Sequence, residues 1–93
     1  MYKSFLKLNI FKGGVIMNKT TLNNLKIGES CYIIKIFLEE KAKRRIQELG
    51  FVKGSLVKCI LKSPFDDPTA YFVKGTTIAL REEIAQNILV ERV

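Results

Sequence analysis

Ser55-Leu56-Val57-Lys58-Cys59-Ile60-Leu61-Lys62-Ser63-Pro64-Phe65-Asp66-Asp67-Pro68-Thr69-Ala70-Tyr71-Phe72-Val73-Lys74-Gly75-Thr76-Thr77-Ile78-Ala79-Leu80 holds three apolar runs separated by two turn signals. In the first run Val57, Cys59 and Leu61 alternate with Lys58, Ile60 and Lys62. A period of two predicts a strand with one face toward a core and the other toward water. Ser63 to Pro68 predicts a turn, because its two prolines fix φ and its two aspartates can cap amides or adopt a left-handed conformation. Thr69 to Lys74 then reads as the return strand, Gly75 as a tight turn and Thr76 to Leu80 as a further strand. Three strands that turn back on one another in this way form an antiparallel meander.

Working outward, Leu22 to Glu29 is a short lead-in punctuated by Gly28, and Ser30 to Phe37 is β-branched and aromatic, which predicts a strand. From Leu38 the period changes: Leu38, Ala42, Ile46 and Leu49 recur at helical spacing, while Glu39 and Lys43, Glu40 and Arg44, and Arg44 and Glu48 stand as i,i+4 pairs. The amphipathic helix should stop at Gly50, with Phe51 packing back onto its last turn. On the other side, Arg81 to Gln86 reads as one helical turn with acids near its amino end, and Ile88 to Glu91 as a last strand. The fold is thus mainly β with one α-helix and a short helical turn. About five short strands with tight turns favour a small SH3-like barrel, since closure removes edges that would pair with other chains.

Ninety-three residues make one domain. The longest uninterrupted apolar stretches, such as Cys31 to Ile34, run four residues, against the roughly 20 that a spanning helix needs. The formal charge of +7 suggests nucleic acid at first sight. Lys3, Lys7 and Lys12 lie in an acid-free amino-terminal stretch, however, so residues 17–93 carry 13 Lys and Arg against 9 Asp and Glu, or +4. That is an ordinary solubility charge. Cys31 and Cys59 stand 28 positions apart, with no CxxC pair and no histidine in the chain, which predicts a reduced, cytosolic protein.

Residues 1–16 lack both an uninterrupted apolar core and a small-residue cleavage site, so they do not read as a signal peptide. Lys12-Gly13-Gly14 can be encoded as AAAGGAGG, a bacterial ribosome-binding sequence placed just ahead of Met17. The expectation is that Met17 is the natural start and 1–16 a non-native extension, with a flexible arm as the alternative. The domain is then residues 17–93.

Four blocks in order, Arg44-Arg45-Ile46-Gln47-Glu48-Leu49-Gly50-Phe51-Val52-Lys53-Gly54-Ser55-Leu56-Val57, Ser63-Pro64-Phe65-Asp66-Asp67-Pro68, Ile78-Ala79-Leu80-Arg81, and Ala85 with Ile88-Leu89-Val90, resemble the FeoA family (ferrous iron transport protein A). The same module is similar to the carboxy-terminal domain of iron-dependent repressors. The resemblance spans about Leu22 to Val93. It implies a non-catalytic cytoplasmic adaptor that binds and modulates FeoB, the membrane ferrous iron transporter with a cytosolic GTPase domain. One departure is visible: Asp66 stands where the family's hairpin usually has Gly.

Catalysis is not predicted, since the chain has no histidine, no nucleophile beside a base and no Gly-rich phosphate loop. No cofactor and no metal site are expected. Two thiols without a third ligand make a poor zinc or ferrous site, so Cys31 and Cys59 read as small core residues. Asp66 and Asp67 read as turn caps. The partner-contact candidates are Arg44, Arg45, Pro64, Phe65 and Arg81, with a groove between the helix and the Pro64-Phe65 hairpin as the expected docking place. For Phe65, plugging the barrel end is favoured over an exposed anchor. The alternatives are an SH3-like nucleic-acid-binding accessory module and a stand-alone, self-associating domain.

Overall fold

The short-range signals of the meander decide most of the architecture. In the computed structural model, which describes residues 18–93 apart from Asp66, six strands form one antiparallel sheet. They are β1 (Lys19–Thr21), β2 (Ser30–Ile36), β3 (Leu56–Lys62), β4 (Thr69–Val73), β5 (Thr76–Leu80) and β6 (Ile88–Arg92). A 3-10 turn, Leu22–Asn24, follows β1, the helix α1 (Glu40–Glu48) follows β2, and the short α2 (Glu82–Ala85) joins β5 to β6. The sheet order is β1-β6-β2-β3-β4-β5. Strand β2 therefore sits between the meander and the chain terminus. Its register against β6 shifts between Ile33 and Lys35, a bulge that bends the sheet around the core. The expected residues 1–16 lie outside the described part of the chain.

Strand β1 adds a sixth strand to the five expected. It is three residues long and pairs Lys19 with Glu91, Thr20 with Val90 and Thr21 with Leu89. So short a segment shows no periodicity of its own, and a partner some 70 positions away supplies its structure.

The end of α1 follows from Gly50. At φ +112 it takes the left-handed position, its amide donates to the Gln47 carbonyl at 3.0 Å, and the Phe51 amide donates to the Ile46 carbonyl at 3.1 Å. These two bonds satisfy carbonyls that the helix end leaves orphaned, and they aim Phe51 into the core, where it is fully buried. Ile46 is buried and Leu38 half-buried against the core, but Leu49, expected on the same face, is exposed. Leu49 is the capping residue, and the chain has begun to turn away there. The three expected i,i+4 ion pairs also do not close. Among the described residues, ion pairs form at Arg81–Asp67 and Arg92–Glu29. Exposed long side chains gain too little in water to hold one geometry.

The alternation predicted for β3 holds for Val57 and Cys59, both fully buried, and fails at Leu61, which is 61% exposed. The register between β3 and β4 shifts between Cys59 and Leu61, so the extra residue sends Leu61 outward. The core is completed by Leu22, Cys31, Ile33, Tyr71, Val73, Ile88 and Val90, drawn from the 3-10 turn, β2, β4 and β6. The Tyr71 hydroxyl donates to the Leu22 carbonyl at 3.4 Å and so ties the 3-10 turn to β4.

The loop before β2 is fastened to the other end of the chain. Glu29 Oε1 accepts from the Lys26 amide at 2.8 Å and from Arg92 Nε at 3.3 Å, while Arg92 Nη2 donates to the Asn24 carbonyl at 3.2 Å. The amide bond from Lys26, and then Arg92, hold the Glu29 carboxyl below the ordinary carboxylate range.

Candidate docking surfaces

Cys31 and Cys59 lie on adjacent strands and face inward, both with no exposed surface. Burial pushes the Cys31 thiol up to about 12 and raises Cys59 in the same direction. Desolvation disfavours a thiolate, the form that binds metals and attacks electrophiles. Among the described residues no three His, Cys, Asp or Glu side chains come together.

The hairpin between β3 and β4 places two of the expected contact residues. The Asp67 amide donates to Ser63 Oγ at 2.9 Å and the Ser63 amide donates to the Pro68 carbonyl at 3.3 Å. These bonds close the neck of the loop and leave its tip outside. Pro64 is exposed and Phe65 is 90% exposed, which corrects the expectation that Phe65 plugs the barrel. The neck is already satisfied by its own bonds, and the tip projects beyond the ends of the two strands.

Asp67 turns out to cap a distant element. Its Oδ1 accepts the Glu82 amide at 2.9 Å, at the amino end of α2, and its Oδ2 lies 3.7 Å from the Arg81 guanidinium. The structure thus brings Arg81 to the base of the Pro64-Phe65 hairpin. Arg44 and Arg45 are exposed on α1, a different element. The two grooves described beside α1 have other walls. One, about 330 Å³, is lined by Ile33 to Ile36, Lys43, Gln47 and Lys53, and the other by Gln47 to Gly50, Val52, Lys74 and Thr76. Neither contains a hairpin residue, so these grooves are not the cleft expected between helix and hairpin.

A surface that sequence reasoning missed lies on the outer face of the meander. Tyr32 opposes Leu56 across β2 and β3, and Lys58 opposes Phe72 across β3 and β4. Tyr32, Leu56 and Phe72 are each 43–52% exposed. A mainly apolar groove of about 370 Å³ runs here between Ser30, Leu56, Lys58, Phe72 and Lys74. The signal was present in the alternation, since Leu56 and Phe72 occupy the outward parity of their strands.

A small antiparallel sheet curled over two buried thiols belongs to the class of SH3-like domains. More narrowly, residues 20–92 match the FeoA domain, and the chain belongs to that family, one of ferrous iron transport. It is 31% identical over 70 residues to an Fe(2+) transport protein A/Fe(2+) transporter FeoB fusion protein of Porphyromonas gingivalis. That match covers 75% of this chain and 8% of the fusion protein, so the chain spans a small part of that relative's length. Among solved structures, Stenotrophomonas maltophilia FeoA, described as a procaryotic SH3 domain protein complexed with zinc, is 33% identical. The superposition has a TM-score of 0.66 and covers 77% of this chain and 89% of that one. A manganese-dependent transcriptional repressor, at 17% identity and a TM-score of 0.72 over 81% of this chain and 42% of its own, shares the fold alone. No helix among the described residues is long and apolar enough to cross a membrane.

Proposed function

We propose that the chain is a cytosolic, non-catalytic adaptor that docks on the cytosolic part of an FeoB-type membrane transporter and biases its conformation. One observation carries this reading. The Porphyromonas gingivalis relative joins a segment similar to this chain to an FeoB transporter in one polypeptide. Fusion holds two modules at high effective concentration, which favours a contact between them. The FeoA family is one of non-enzymatic accessory domains, in keeping with the buried, neutral thiols of this chain.

The contact residues we assign are Arg44, Arg45, Pro64, Phe65 and Arg81. Phe65 is a rigid aromatic held outside the fold on a closed loop neck, which suits an anchor that fills a partner's pocket. Titrating the labelled chain with the purified cytosolic part of an FeoB-type transporter, with GTP, with GDP and without nucleotide, tests the reading. Saturable binding is expected, weakened about tenfold by Phe65→Ala. Absence of binding in all three states overturns it.

A further inference from the structure

One edge of the sheet is used by none of the surfaces above. Among the described residues strand β5 ends the sheet, with β4 as its one strand partner. Natural edge strands are blunted by shortness, charge, proline or a bulge. The opposite edge follows that rule, since β1 is three residues long and carries Lys19. Strand β5 does not. Thr76-Thr77-Ile78-Ala79-Leu80 has no charge and no proline, and it stays in unbroken register with β4 from Val73↔Thr76 to Thr69↔Leu80.

The hairpin geometry says which of its backbone groups are free. Lys74 at φ 52 and Gly75 at φ 79 form a two-residue turn with both central residues left-handed. Such a turn is flanked by a hydrogen-bonded pair, here Val73 and Thr76. Because hydrogen-bonded and non-hydrogen-bonded pairs alternate, Thr76, Ile78 and Leu80 spend their amides and carbonyls on β4. The N–H and C=O groups of Thr77 and Ala79 point away from the sheet. Both residues are exposed, and no other backbone bond reaches them among the described residues.

We infer that this edge pairs with β5 of a second copy of the chain, antiparallel, about a two-fold axis at Ile78. That register alone puts Thr77 opposite Ala79 of the second copy and Ala79 opposite its Thr77. All four outward groups on each chain are then satisfied, as four intermolecular hydrogen bonds. The ends also complement one another. Lys74 before the strand comes beside Glu82 and Glu83 after it on the other copy, while the intervening Arg81 already has Asp67 as its counter-ion. Two five-residue strands bury less than the roughly 1,200 Å² typical of stable interfaces, so the dimer is weak and concentration-dependent.

Sedimentation velocity of the full 93-residue chain, from about 10 μM to about 1 mM, tests this. A reversible monomer–dimer equilibrium is expected. Thr77→Pro removes an outward donor while sparing the β4 ladder, and Ala79→Lys puts a charge on the edge. Each should weaken self-association by about tenfold or more, with circular dichroism confirming that the variant is folded. Lys74→Glu and Glu82→Lys, each weaker alone, should recover dimerisation when mixed. A parent that stays monomeric throughout, or a dimer indifferent to both edge substitutions, overturns the inference. So does a monomeric parent whose transporter binding is lost on Thr77→Pro, which would give the edge to a partner's strand instead. The proposed adaptor function fails on a different result, the absence of transporter binding by the parent.

Discussion

The carboxylate of Asp67 accepts the backbone amide of Glu82 at 2.9 Å, so a residue of the β3–β4 hairpin caps a helix that begins 15 positions later. The N-cap residue of α2, Arg81, has no side-chain cap of its own. The hairpin therefore supplies what the local sequence lacks. Asp67→Ala should cost about 1 kcal/mol in urea unfolding, the usual worth of an N-terminal cap. Asp67→Asn, which keeps an accepting oxygen, should recover most of it. Arg81→Ala, which removes only an exposed ion pair, should cost less than Asp67→Ala.

Gly50 admits no side chain. A Cβ there would sit 2.6 Å from Lys74 Cγ and 3.4 Å from Val73 Cγ2, and the left-handed φ of +112 adds strain of its own. Gly28 has a similar φ of +93 with nothing within 4 Å. Gly50→Ala should therefore destabilise by about 2–3 kcal/mol and Gly28→Ala by about 1 kcal/mol. Chemical denaturation of the two variants side by side measures the difference, which reports the close approach of α1 to the β4–β5 turn.

Burial separates two apolar residues that look alike in sequence. Phe51 is fully buried behind the helix cap, and Leu61 is displaced to the surface by the bulge in β3. Phe51→Ala should cost about 3–5 kcal/mol, enough to threaten folding of so small a domain. Leu61→Ser should change stability by about 0.5 kcal/mol or less. If Leu61→Ser proved as damaging as a core truncation, the register shift would be misplaced.

Both thiols should resist reagents while the chain is folded. With Cys31 pushed up to about 12 and Cys59 raised as well, almost no thiolate exists at pH 8. Ellman's reagent should label both cysteines rapidly in denaturant and neither in buffer, with slow labelling tracking unfolding. Sign also follows: a thiol raised in the fold opposes its own ionisation there, so stability falls as pH climbs above the ordinary thiol value near 9.

Much of the architecture is local chemistry and was legible residue by residue. The tight turn at Gly75, the helix stop at Gly50 and the inward placement of Val57, Cys59 and Phe51 each depend on sterics and periodicity within a few positions, whereas Lys74, read as the end of the return strand, belongs to that turn. Those forces act whatever the rest of the chain does. The FeoA blocks were legible for the same reason, since they consist largely of these turns and caps.

Other features needed the assembled sheet. Strand β1 exists because β6 is there to pair with it, Leu61 faces out because β3 and β4 slip past one another, and Asp67 meets Glu82 only once the meander has folded back. The open backbone of β5 is likewise a property of sheet order, invisible in Thr76 to Leu80 alone. Sequence determines what each short segment can become, through excluded volume and side-chain period. Which polar groups and apolar faces end up partnered depends on neighbours brought in from tens of residues away.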